Sequence, residues 1–219
     1  RELRLQVLAQ REFAKPFDLG AESPLRITVV RTAADELVML LVAHHIAWDD
    51  GSWAVFFTDL TRAYEGAALD PAPAVAAVPA GNDSEDLDYW RQVMAQPPEP
   101  LELPGPNGSA VPTAYRSQRA TITLAPATAA KVTELARDTG STPYMVLLAA
   151  FGALIHRYTH TDDFLVATPV LNRGSEEALG YYGNTVVMRM RPQGRNGFRD
   201  LLAVTRDTAL GAFAHQRIN

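Results

Sequence analysis

Two adjacent histidines, His44 and His45, followed by the paired aspartates Asp49 and Asp50 and then Gly51, are the side chains of this chain best suited to chemistry. An imidazole has an unperturbed pKa of about 6.5, so it takes up or gives a proton near neutrality with little tuning. The histidines end an apolar run, LVMLLVA, that predicts a strand over residues 36–43 buried on both faces in a mixed sheet. Neighbouring strand residues point to opposite faces, which predicts one histidine in the fold and one in a cleft, with His45 nearer the exposed turn. A helix is expected from Gly51 or Ser52, capped by Asp49 or Asp50 and carrying Trp53, Phe56, Phe57, Leu60 and Tyr64 at helical spacing. Its free N-terminal amides offer a place for a developing anion.

Each of these residues has a plainer reading. Both histidines would serve as satisfied core residues, and the aspartates as helix caps or turn formers. A His-His-Asp-Asp metal site is rejected, because contiguous ligands on an extended segment diverge and no His-x-x-x-His spacing is present. A second signal is LGYYGNTVVMR, residues 179–189, where Gly180 and Gly183 permit a turn and Asn184 enters a strand with an amide that both donates and accepts. Its plain reading is a turn before a strand. There is no Gly-x-Ser-x-Gly elbow, phosphate loop or dinucleotide glycine pattern.

The remaining pattern supplies elements to position these groups. Helices are expected over residues 1–13, 84–94, 126–138, 143–158 and 198–215, and strands over 25–31, 117–124, 164–171 and 185–191. In the 143–158 helix, Leu147, Phe151, Leu154, Ile155 and Tyr158 make the apolar stripe of an element expected to be largely buried. Residues 96–112 hold six of the fifteen prolines, so 97–113 reads as a linker between a lobe over 1–96 and another over 114–219. Alternating strands and helices in each half predict two α/β lobes with function where they meet.

The 219 residues carry a net charge of −5 with only two lysines, Lys15 and Lys131, which argues against nucleic acid as a partner. The absence of cysteine excludes disulfides and thiolate chemistry and fits a reducing cytoplasm. No apolar run reaches membrane-spanning length, and a start at Arg1 with a stop at Asn219 reads as an excised or incomplete piece.

HHIAWDD resembles the His-His-x-x-x-Asp-Gly signature of condensation domains from nonribosomal peptide synthetases, which share the two-lobe chloramphenicol acetyltransferase-like fold. PFDLGAESPLRI, DLDYWRQVM, TPYMVLLAAFGALIHRYTHTDDFLVATPVLNR, GYYGNTVVMR and the terminal HQ resemble further landmarks of that family, in the family's order. Such a domain is about twice this long, so the resemblance implies an incomplete α/β fold of mixed sheets and packed helices.

The resemblance implies formation of a peptide bond between donor and acceptor groups carried as thioesters on the 4'-phosphopantetheine arms of two carrier proteins. No cofactor is held by the domain itself. Expected partners are an upstream donor carrier, a downstream acceptor carrier and a neighbouring adenylation domain. His44 falls on the first signature histidine, His45 on the second, which is the family's catalytic position, and Asp49 on the aspartate. Asp50 takes the place of the usual glycine, with Gly51 one step later. Asn184 is expected near the tunnel between lobes. The family's aspartate is usually held by an arginine upstream, which predicts that the partner of Asp49 lies outside this chain. Two rivals share the resemblance: an epimerization domain of the same fold, and an inactive relative that docks carriers or recruits a tailoring enzyme.

Overall fold

A computed structural model describes residues 2–71, 73, 83–104, 120–173 and 178–218. In chain order the described elements are helix α1 (Glu2–Ala14), strands β1 (Leu25–Ala33) and β2 (Glu36–Ala43), and helices α2 (Asp50–Tyr64), α3 (Asp83–Val93), α4 (Pro126–Asp138) and α5 (Pro143–Thr159). Strands β3 (Phe164–Leu171) and β4 (Gly183–Met190) and helix α6 (Phe198–Ala214) complete them. The chain divides into two compact units, Arg1–Pro79 with Leu171–Gly183, and Ala80–Val170 with Asn184–Asn219. This grouping differs from a single cut at 97–113, since α3 belongs to the second unit and the segment after β3 to the first. Residues 105–119, which include the later part of the proline-rich stretch, lie outside the described residues.

In the first unit β1 and β2 form an antiparallel hairpin that sets Leu25 opposite Ala43, with an irregularity between Arg31 and Ala33. The expected burial of β2 on both faces is not met, because no residue of it is fully buried. In a two-stranded ribbon each strand keeps an open edge and little covers its faces. Helix α1 ends at the Lys15-Pro16 step, and Arg26 of β1 caps it by donating to the carbonyls of Glu12 (3.1 Å), Lys15 (2.6 Å) and Pro16 (3.1 Å). The same guanidinium covers the ring of Phe17 at 3.7 Å, and Phe17 meets His44 edge-on at 5.8 Å.

The second unit is built on α5, β3, β4 and α6. Its core joins Met145, Val146, Leu148, Ala149 and Ile155 of α5 to Phe164, Val186, Met188, Met190, Leu202, Ala209 and Ala212. This reverses the stripe expected on α5. Only Ile155 of the five faces the core, while Leu147, Phe151, Leu154 and Tyr158 are 46–67% exposed. The helix is apolar nearly all round, so periodicity alone could not select the buried face. Residues 120–124 carry no strand, contrary to the expectation over 117–124, and 117–119 lie outside the described residues.

Two polar clusters pin this unit. The buried Arg189 of β4 holds both carboxylate oxygens of Asp163 (2.8 and 2.6 Å) and the carbonyls of Val93 and Gln96. His215 meets Asp86 at 2.7 Å, stacks on Tyr89 at 4.2 Å, and accepts at its carbonyl the indole N–H of Trp90 (2.8 Å). The landmark stretches DLDYW and HQ are therefore in direct contact.

Candidate active site

The strand β2 stops at Ala43, and the histidines leave it on a single 3₁₀ turn, His45–Ala47. Strand alternation therefore does not set their directions, and side-chain bonds to the backbone do. His44 is the N-cap of the turn, its Nδ1 accepting the Ile46 N–H at 3.1 Å. Nδ1 of His45 lies 2.6 Å from the Trp48 carbonyl. A carbonyl oxygen can only accept, so in the neutral ring Nδ1 carries the hydrogen and Nε2 keeps its lone pair. His45 is exposed, and its ring meets that of Tyr181 edge-on with centroids 5.1 Å apart. The adjacent imidazoles are thus held in opposite tautomers: His44 braces the turn, and His45 offers a base.

Asp49 is the N-cap of α2, forming a reciprocal capping box with Ser52. It is 3% exposed, its carboxylate enclosed by hydrogen-bond donors. Its carboxylate accepts from the Ser52 N–H (2.9 Å) and the Tyr182 N–H (3.1 Å), and from Arg173 through Nε (3.0 Å to each oxygen) and Nη2 (2.6 Å). Arg173 also donates to the carbonyls of Ala178 (2.8 Å) and Gly180 (3.1 Å) and to the Ser52 hydroxyl (2.8 Å). That hydroxyl lies 2.9 Å from the Gly180 carbonyl and accepts the Gly180 N–H at 3.2 Å.

The cation opposite Asp49 is therefore within this chain, a correction to the expectation of an upstream partner beyond it. Arg173 closes the VLNR run, whose place in the sequence suggests only a family landmark. Ser52 stands three residues after an N-cap aspartate, the spacing of a capping box.

Asp50 occupies the first turn of α2, is exposed, and has no left-handed backbone. An aspartate fits here because the turn asks for no glycine at this step and the helix dipole favours acidic residues. Gly51 is the position that must stay small, since a Cβ there would overlap the Arg173 guanidinium. The N-terminal end of α2 thus already carries Asp49 on its Ser52 amide and an exposed Asp50, which argues against an oxyanion site there.

Asn184 belongs to the second unit, where its amide donates to the carbonyls of Gln216 (2.8 Å) and Ile218 (2.6 Å) and accepts the Thr185 N–H at 2.7 Å. It clamps the chain just past α6. Asn184→Ala is expected to lower the stability of the second unit by about 1–3 kcal/mol, read from chemical denaturation, because two carbonyls lose their donor. Unchanged stability would leave Asn184 as a turn residue only.

Burial alone would raise the Asp49 pKa, but Arg173, the Tyr182 and Ser52 amides and the Ser52 hydroxyl together hold it below the ordinary 3.8. Asp163 is also held below 3.8, chiefly by its hydrogen bonds from Arg189, against burial. Both groups bind protons more weakly folded than unfolded. Their stabilisation is complete above 3.8 and drains away as pH falls through the lower folded values. The thermal midpoint should therefore drop steeply below about pH 4, and less steeply in Asp49→Asn. An identical slope in that variant would contradict the assignment.

Among the described residues no group of three or more His, Asp or Glu side chains is placed to hold a metal ion, and no helix is long and apolar enough to cross a membrane.

The family model "Condensation domain" matches residues 2–219. Phosphinothricin tripeptide synthetase PhsB of Streptomyces viridochromogenes is 35% identical over 228 residues, covering 96% of this chain and 19% of that protein. Among solved structures, the condensation domain of the Monacolin K polyketide synthase MokA superposes with a TM-score of 0.78 at 23% identity, over 100% of this chain and 54% of its own. The X-domain from teicoplanin biosynthesis gives 0.84 at 21% identity, over 97% and 53%. This chain thus spans about half of each structural neighbour and a small part of the synthetase. These likenesses carry the two-lobe chloramphenicol acetyltransferase-like fold, present here in part.

Proposed function

Because the chain belongs to the condensation-domain family of nonribosomal peptide synthetases, we propose that it forms the amide bond between a donor acyl or peptidyl thioester and an acceptor aminoacyl thioester. The supporting observation is the His45 ring, whose Nδ1 bond to the Trp48 carbonyl leaves Nε2 with a lone pair at an exposed position. An amine is already a good nucleophile toward a thioester, so the protein's task is to orient it and manage one proton. Nε2 accepts that proton, or the hydrogen bond of the neutral amine, as nitrogen attacks the carbonyl carbon. The C–N bond forms and the C–S bond breaks. The departing thiolate takes up a proton, so the one released by nitrogen is returned and His45 ends as it began.

The thioesters ride on 4'-phosphopantetheine arms of an upstream donor and a downstream acceptor carrier protein, next to an adenylation domain in a cytoplasmic synthetase. His44 supports the turn that carries His45, Asp49 and Gly51 support the helix that follows it, Asp50 lies beside them at the helix start, and Asn184 orders the chain after α6.

The test supplies the parent synthetase with donor and acceptor carriers, loaded by a phosphopantetheinyl transferase, and reads both carriers by intact mass, the released groups by chiral chromatography and carrier binding by co-elution. An elongated acceptor is the expected result. Inverted substrate stereochemistry without a change in mass would replace the proposal with epimerization, and carrier binding without either with a docking role.

A further inference from the structure

We propose that Tyr181 is a positioning residue for the His45 imidazole, and that Gly183 is glycine so that the phenol ring can lie where it does. The Nδ1 bond to Trp48 fixes one atom of the imidazole and leaves the ring free to swing about that contact. The remaining freedom is taken up by Tyr181, whose ring stands at 90° to the imidazole with centroids 5.1 Å apart. This is the edge-to-face arrangement that aromatic rings prefer.

Tyr181 is itself presented by a clamped backbone. The residue before it, Gly180, is bonded to Ser52 through both its N–H (3.2 Å) and its carbonyl (2.9 Å). The residue after it, Tyr182, donates its N–H to Asp49 at 3.1 Å. Both anchors sit at the start of α2, the element that directly follows the histidine turn, so His45 and Tyr181 are referred to one rigid frame. A Cβ at Gly183 would come within 3.1–3.2 Å of the Tyr181 ring and hydroxyl, tighter than ordinary side-chain contacts. A branched residue at 183 would push the phenol off the imidazole. Tyr181 is 48% exposed, far more than packing would require, so its replacement should spare the fold.

The turnover arm of the test rests on the condensation reading, and a second arm does not. In the parent synthetase with loaded carriers, Tyr181→Ala and Gly183→Val are expected to lower kcat about threefold to tenfold, with KM for the acceptor carrier within about twofold. Tyr181→Phe, which keeps the ring, should rescue kcat. Independently, the rate at which diethyl pyrocarbonate modifies His45, read by peptide mass, should rise at least about threefold in Tyr181→Ala and return in Tyr181→Phe, since a released imidazole presents Nε2 more often. An unchanged modification rate in Tyr181→Ala overturns the proposal whatever turnover does, and so does failure of Tyr181→Phe to restore either reading. If native synthetase forms no elongated product, the condensation reading fails and the modification rates alone decide the role of Tyr181.

Discussion

His45→Ala is expected to slow amide formation by about 10²–10⁴-fold with both carriers loaded, the range by which a positioned general base accelerates such a step. The variant removes two things, the Nε2 lone pair and the hydrogen bond that ties Nδ1 to the Trp48 carbonyl. His45→Asn separates them. Its side-chain N–H₂ lies near the place of Nδ1 and can still donate to Trp48, but nothing replaces Nε2. The stability lost in His45→Ala, about 0.5–1.5 kcal/mol for one partly buried hydrogen bond, should return in His45→Asn while the rate does not. Single-turnover transfer between preloaded carriers, read by intact mass, measures the rate, and urea denaturation the stability. Near-native transfer in His45→Asn would remove the imidazole from the mechanism.

Arg173→Ala should be the most damaging single change to the fold of the first unit, costing about 3–5 kcal/mol, the usual result of leaving one buried charge without its partner. Asp49 keeps only two amides and a hydroxyl once the guanidinium is gone, and Ser52 and Gly180 lose a donor with it. Arg173→Lys should rescue little, because one ammonium cannot supply the forked contact to Asp49 together with the carbonyls of Ala178 and Gly180. Asp49→Asn should likewise reduce yield and stability along with rate. Denaturant midpoints of the two single variants and the double variant give the coupling between the residues. A well-folded Asp49 or Arg173 variant with a purely kinetic defect would refute the structural role argued for the pair.

Much of this is legible from residue order. The bounds of α4 and β3 match the expected residues 126–138 and 164–171, because a proline at the first helical turn and an apolar run between turn residues are local signals. An aspartate cap, left between Asp49 and Asp50, and His45 as the more exposed histidine are likewise visible, since both follow from a strand giving way to a helix. What is not legible depends on contacts between distant parts of the chain. Nothing local marks Arg173 as the partner of Asp49, because the pairing is made only when the segment after β3 packs on the start of α2. The exposed face of α5 escapes a sequence reading for the same reason: its sequence is apolar on both sides, and the choice belongs to β4 and α6. The 3₁₀ turn at His45–Ala47 is stabilised by a ring nitrogen accepting a backbone N–H, a bond that propensity does not report.

The first unit is discontinuous in sequence, Arg1–Pro79 being completed by Leu171–Gly183. On the ribosome, the whole of Ala80–Val170 must be synthesised before Arg173 emerges, so the hairpin and α2 exist for a time as a nascent piece whose Asp49 has no cation opposite it. The histidine turn cannot acquire its final frame while it is being made. It matures only when a later part of the chain returns to it, so the frame around His45 waits on Arg173 reaching Asp49.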